Sequence, residues 1–99
     1  MNYPVGTTVK LKVPCLGNPA GTRGVAFYDY GSGTQFIFEN GGYDGFSSEE
    51  SGRPIGIEQD FFLERTGFNE ELAGYQFFNV IQVSQDFRAG MFDSALKGV

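Results

Sequence analysis

Four aromatic residues and three acids between positions 28 and 50 are the side chains best suited to binding chemistry. They are Tyr28, Tyr30, Tyr43, Phe46, Asp44, Glu49 and Glu50. Aromatic rings attract cations through their π faces, and neighbouring carboxylates strengthen that attraction. The set therefore predicts an acidic, aromatic-bearing face that binds a basic peptide or a methylated cation on a protein partner.

The composition argues against catalysis. The 99-residue chain has no histidine, the side chain that most often acts as general base near neutral pH. Its single cysteine, Cys15, lies in a Gly/Pro-rich loop with no cation between it and Arg23, which is typical of an incidental thiol rather than a nucleophile. We expect a non-enzymatic protein with no cofactor and no metal ion.

Charge is divided unevenly along the chain. Residues 1–28 carry Lys10, Lys12 and Arg23 without any acid, a balance of +3, whereas the remaining four bases and twelve acids give −8. An acidic surface disfavours nucleic acid as the partner, because phosphate contacts depend on several cations. Two alternatives stay open. One is an acidic inhibitor that mimics nucleic acid, and the other is weak nucleic-acid binding through the three cations with aromatic stacking.

The binding face requires strands to position it, and the hydrophobic pattern predicts them. Apolar and charged residues alternate over 9–13, which is typical of a strand with one buried face. A second strand is predicted over 23–30. Segments 35–39 and 42–46 predict a hairpin, with Asn40 and Gly41 at the centre of a type I′ turn.

The C-terminal third is predicted to end in a helix. Residues 75–83 are rich in aromatic and β-branched residues, which favours a centrally placed strand. Ser84 is then predicted to cap a helix over about 85–97, with Phe87, Met91, Phe92 and Leu96 on its apolar side. Gly90 inside that helix lowers its intrinsic propensity, so the helix must depend on docking.

A long Gly/Pro-rich loop, the run Gly-Thr-Arg-Gly-Val over 21–25, and the glycine-turned hairpin follow one another in this chain. This order resembles the SH3-like small barrels, including the KOW and Tudor-type modules. The resemblance implies a mainly β fold, a small antiparallel barrel of five or six strands over about 5–83, followed by the helix. It also implies a module that binds a partner through its loops and an aromatic-lined groove.

Length and targeting signals complete the expectations. Ninety-nine residues favour one domain spanning 1–99, large enough to bury a core without metal or disulfide. One cysteine, no signal-like N-terminus and no long apolar run predict a cytoplasmic protein without a membrane segment. The oligomeric state, monomer or homodimer, stays open.

Overall fold

The computed structural model describes residues 3–47 and 57–98, which fold mainly into β-structure with short helices. The strands are β1 (Thr7–Leu11), β2 (Arg23–Asp29), β3 (Gly33–Phe38), β4 (Tyr43–Ser47), β5 (Ile57–Glu58) and β6 (Leu63–Phe68). The helices are α1 (Gln59–Phe62), α2 (Val80–Arg88) and α3 (Asp93–Lys97), and a 3₁₀ turn spans Glu70–Leu72.

One sheet contains all these strands in the order β5-β4-β3-β2-β1-β6. Five strands are antiparallel to their neighbours, and the two-residue β5 runs parallel to β4. The sheet is completed when β6 returns to β1, with Leu63 opposite Leu11 and Phe68 opposite Thr7. No pairing joins β5 to β6 within the described ranges, so the sheet is open and barrel closure stays a prediction.

Each face of the sheet carries a cluster of buried residues, and alternate residues on each strand point to opposite faces. We call one side the inner face; its buried residues are Val9, Leu11, Ala26, Phe36, Phe38, Phe46 and Leu63. We call the other the outer face, where Val25, Phe27 and Ile37 pack against residues C-terminal to the sheet: Leu72, Val83, Phe92, Ala95 and Leu96. Each fully buried phenylalanine stabilises the fold by roughly 1.5–3 kcal/mol.

The predicted hairpin is present, but its turn differs from the prediction. Gly41 N donates to Phe38 O at 2.8 Å, and Phe38 N donates to Gly42 O at 2.8 Å, so the loop contains three residues rather than two. Gly41 has a φ of +87°, whereas Asn40 is not among the described residues with positive φ. This is a tight turn followed by a glycine bulge, a common three-residue hairpin connection.

The C-terminal prediction was wrong in three places. Residues 75–79 have no regular structure and α2 begins at Val80, so 75–83 is not a strand. Asn79, rather than Ser84, caps α2, since its side chain accepts a hydrogen bond from Gln82 N at 2.8 Å. Gly90, with a φ of +87°, separates α2 from α3, so the predicted single helix is two. No helix in the described ranges is long and apolar enough to cross a membrane.

Candidate functional site

Three predicted tyrosines lie at the surface of the outer face. Tyr28, Tyr30 and Tyr43 are 38%, 39% and 36% exposed. Tyr43 lies opposite Ile37, an outer-face residue, and Tyr28 lies opposite Gln35, two residues away on the same strand. Residues opposite one another share a face. The sheet therefore displays Tyr28 and Tyr43 on the side that the helices cover only in part.

Tyr30 reaches the same face from the β2–β3 turn. A β-carbon added at Gly45 would lie 2.9 Å from its hydroxyl oxygen, and one added at Gly33 would also collide with the ring. The ring and hydroxyl of Tyr30 therefore pack against two glycines of neighbouring strands. This burial raises the pKa of its phenol above the ordinary value of 10.0. The residue packs against the sheet and is also partly exposed to solvent.

The segment that follows the 3₁₀ turn extends this aromatic area. The ring of Phe77 packs against Tyr28, with centroids 4.9 Å apart, and against Phe27, with centroids 5.3 Å apart. Next to it, Phe78 is 73% exposed, and Ile81 in the first turn of α2 is 68% exposed. We call Tyr28, Tyr30, Tyr43, Phe77, Phe78 and Ile81 the aromatic surface.

Gln82 fixes the irregular segment 75–79 in place. Its side-chain oxygen accepts a hydrogen bond from Phe78 N at 2.7 Å, and its amide nitrogen donates to Gln76 O at 3.0 Å. The same nitrogen donates to Asp86 Oδ2 at 3.0 Å, and Tyr75 donates its hydroxyl proton to that oxygen at 2.6 Å. Burial, followed by this contact with Asp86, raises the pKa of Tyr75 far above its ordinary value. Phe78 is thus held on an ordered backbone.

Phe46 is not part of this surface. It is fully buried on the inner face, where its ring packs edge-on against Phe36 at a centroid distance of 5.6 Å. It lies opposite Thr34, which is also fully buried, so alternation along β4 turns it away from Tyr43. Its assignment to a binding face was therefore wrong, and Phe46 is a core residue.

The predicted acids do not gather around the tyrosines. Asp44 lies opposite Phe36, an inner-face residue, so it points away from its neighbour Tyr43. Burial raises the pKa of the Asp44 carboxyl above its ordinary value of 3.8. Glu49 and Glu50 lie outside the described residues. An acidic character of the aromatic surface stays a prediction that Asp44 does not support.

Two of the three N-terminal cations contact acceptors within the chain. Arg23 Nε pairs with Glu39 Oε2 at 2.5 Å, and Lys12 Nζ donates to Asp60 O at 2.7 Å. Lys10 lies between Arg23 and Glu64 in adjacent strands. Direct nucleic-acid binding would have to replace these two contacts with phosphate, which lowers the gain from each.

Cys15 lies in a loop of unusual shape. Cys15 and Asn18 exchange backbone hydrogen bonds of 2.8 and 2.9 Å around Leu16 and Gly17, whose φ angles are +51° and +81°. Burial, and then the charge of Asp44, raise the pKa of the Cys15 thiol, which keeps it protonated at neutral pH. Residues 14–19 line an open, apolar concavity of about 480 Å³, and one of them, Leu16, is 53% exposed.

The residues missed at the sequence level are Phe77, Phe78 and Ile81. Their signal was present in the sequence, because Asn79 precedes apolar residues spaced for one helix face, Val80, Val83 and Phe87. Read as a helix start, that pattern leaves Phe78 and Ile81 outside the core.

Within the described ranges, no group of three or more potential metal ligands is present.

Compared with protein-family models, with curated protein sequences and with solved structures, the chain gave no match to any of the three.

Proposed function

We propose that this chain is a non-enzymatic interaction module that binds a protein partner through the aromatic surface. The single observation that carries the proposal is the exposure of Phe78 and Ile81, 73% and 68%, in the segment that follows Phe77, whose ring packs against Tyr28. Large apolar side chains grouped at the surface are typical of protein contacts, and aromatic residues dominate the energy of such contacts.

Order in this surface supports the same function. Gln82 ties Phe78 and Gln76 to α2, and Gly45 and Gly33 seat the ring of Tyr30. A backbone that is already ordered loses little conformational entropy on binding, so more of the contact energy of the side chains that it carries appears as affinity. An aromatic surface of this kind serves as a preformed docking site.

We also propose that the fold is an open SH3-like barrel. The support is the path of the chain: β1, β2, β3 and β4 form a meander, and β6 returns to pair with β1. That return brings the last long strand beside the first, which closure of a small barrel requires. The aromatic surface then lies on the outside of the sheet, between the β2–β3 turn and α2.

The partner we propose is a protein of basic character. The chain carries −5 overall and −8 after residue 28, so electrostatic steering favours a positively charged protein. This component must weaken as salt increases, since exposed charges are screened over about 8 Å at physiological ionic strength. Apolar contacts at Phe78 and Ile81 must persist under the same conditions.

Affinity capture with matched surface variants tests the proposal. The full chain carrying Phe78→Ser and Ile81→Ser is compared with the wild type and with Phe61→Ser, which removes a ring of similar exposure, 63%, from α1. We expect the wild type and Phe61→Ser to capture the same protein. The affinity of the double variant for that protein should be lower by about tenfold or more, which corresponds to about 1.4 kcal/mol.

Equal capture by all three chains would refute the aromatic surface as the binding site. Binding that disappears with moderate salt, but not with the double substitution, would instead favour the acidic nucleic-acid mimic. A thermal unfolding curve for each variant shows that the fold is retained, because serine at exposed positions changes stability by only about 0.5 kcal/mol.

A further inference from the structure

The tip of the β3–β4 hairpin holds an asparagine followed by a glycine. Asn40 is exposed, and Gly41 adopts a φ of +87°. Glycine has no β-carbon, so its backbone nitrogen is the least hindered of any residue. An asparagine side chain next to such a nitrogen can react with it. We propose that Asn40 is a site of spontaneous deamidation, and that the fold restrains this reaction through Asn18.

The reaction needs only water. The backbone nitrogen of Gly41 attacks Cγ of Asn40, the N–Cγ bond forms and the Cγ–Nδ2 bond breaks. Ammonia leaves with the amide proton of Gly41, and a five-membered succinimide ring results. Water then opens either C–N bond of the ring. The product is aspartate or isoaspartate, and the sum is asparagine plus water giving the acid plus ammonia.

Three hydrogen bonds hold the reacting groups away from this path. Gly41 N, the nucleophile, donates to Phe38 O at 2.8 Å. The side-chain oxygen of Asn40 accepts from Gly42 N at 2.9 Å. Its amide nitrogen, the leaving group, donates to Asn18 Oδ1 at 2.5 Å. Ring closure requires the Asn40 side chain to turn, so the folded turn must open first.

Asn18 is the anchor of this arrangement. It is only 8% exposed, and its backbone pairs with Cys15 in both directions. Its side-chain oxygen is therefore a fixed acceptor rather than a mobile surface group. The bond to Asn40 also joins loop 14–19 to the hairpin tip, so the state of Asn40 determines whether the two remain attached.

Conversion of Asn40 removes that attachment. An aspartate carboxylate has no N–H group to donate to Asn18 Oδ1. Isoaspartate in addition places an extra methylene in the backbone of a three-residue loop, where the 2.8 Å bond from Phe38 N to Gly42 O leaves no room for it. The modified chain has a released loop 14–19 and a new negative charge beside it.

Peptide mapping by mass spectrometry tests the proposal on the full chain. The chain is incubated folded in buffer and unfolded in urea at one mildly alkaline pH, and the mass gain from replacing an amide NH₂ by OH is followed at each asparagine. We expect modification at Asn40, slower in the folded chain by at least about tenfold, a factor equal to about 1.4 kcal/mol of opening free energy. Asn40→Gln, whose ring closure is less favourable, must abolish the signal.

Two Asn18 variants separate the anchor from general stability. Asn18→Asp keeps an oxygen acceptor for Asn40 and should leave the folded rate within about twofold of the wild type. Asn18→Ala removes the acceptor and should raise the folded rate several-fold. Equal rates in buffer and urea, modification elsewhere but not at Asn40, or a fast Asn18→Asp chain would each overturn the proposal. If Asn18→Ala does not fold, the Asn18→Asp comparison decides.

Discussion

The ring of Tyr30 lies directly over Gly45, close enough that a β-carbon at position 45 would meet the hydroxyl oxygen at 2.9 Å and ring carbons at 3.2 and 3.3 Å. Gly45 is not among the described glycines with a positive φ, so its backbone conformation does not require glycine. Space for the Tyr30 ring is therefore the reason for glycine at this position. The two residues form one structural unit on the outer face.

This unit predicts a non-additive pair of substitutions. Gly45→Ala should lower the free energy of unfolding by about 1–3 kcal/mol, because the added methyl displaces the Tyr30 ring. In a Tyr30→Ala background the same change should cost less than about 0.5 kcal/mol. Urea unfolding of the four chains measures the coupling. Gly74→Ala, at a glycine with nothing within 4 Å, is the matched control.

Leu16 predicts a substitution that increases stability. Leu16 has a φ of +51° and is 53% exposed, so it combines backbone strain with exposed apolar area. Leu16→Asn should raise the free energy of unfolding by about 1 kcal/mol, since asparagine tolerates this conformation. Gly17→Ala in the same turn should lower it by a similar amount. An unchanged or lower melting temperature for Leu16→Asn contradicts the strain.

Asp44 predicts a pH effect whose sign follows from its raised pKa. The folded state binds this proton more tightly than the unfolded state. The contribution of the protonated Asp44 carboxyl to the free energy of unfolding is therefore fully present below pH 3.8, and it is lost as pH rises through the folded pKa. Asp44→Asn should therefore be stabilising relative to the wild type at neutral pH, with a smaller difference below pH 3.8. Urea midpoints at the two pH values measure it.

The same substitution should affect the thiol of Cys15. Burial is the larger cause of its raised pKa and the charge of Asp44 the smaller, so Asp44→Asn should lower the thiol pKa only in part. Alkylation rates across a pH series give that value. A full return to the ordinary cysteine pKa would show that burial is not the main cause.

Substitutions at Asn79 and Ser84, the two candidate caps of α2, should differ in their effect on stability. Asn79→Ala should destabilise the chain by about 1 kcal/mol, because Gln82 N loses its acceptor at the helix start. Ser84→Ala, inside the helix, should change stability by less than about 0.5 kcal/mol. Thermal unfolding with both variants in one series is sufficient. A larger loss from Ser84→Ala would restore the start that the sequence pattern first indicated.

Substitutions at Phe46 and Tyr43 should distinguish a core residue from a surface residue. Phe46→Ala should cost about 3–5 kcal/mol, since the side chain is fully buried. Tyr43→Ala, at a residue 36% exposed, should cost much less and should retain the cooperative unfolding transition. Similar losses from the two would mean that Tyr43 is a core residue.

Local signals explain which parts of the fold could be predicted. Alternation in β1 and β2 and the glycine-containing hairpin depend on neighbouring residues, and the structure contains all three. The prediction of a strand over 75–83 was wrong because aromatic and β-branched residues favour strands only on average. Here the Asn79 cap and the packing of Val83 and Phe87 determine the conformation.

The binding face was predictable only in part, and for a different reason. Alternation along a strand already places Tyr43 on the side opposite to Asp44 and Phe46, but position in the sequence does not reveal which of the two sides the helices cover. Register decides the matter: Tyr43 lies opposite Ile37, whereas Asp44 and Phe46 lie opposite inner-face residues. Phe77 and Phe78 belong to the aromatic surface because residues 75–79 are irregular and lead into α2, whereas the sequence predicted a strand over 75–83.

The pairing of β1 with β6 also has a consequence for synthesis of the chain. Thr8 and Thr66, whose hydroxyls are 3.0 Å apart, are 58 residues apart in sequence. During translation β1 can pair with β2 early, but its other edge stays open until residues 63–68 have emerged. Contacts of such separation form slowly, and an open strand edge can pair with another chain. The nascent protein is most exposed to misassembly in that interval.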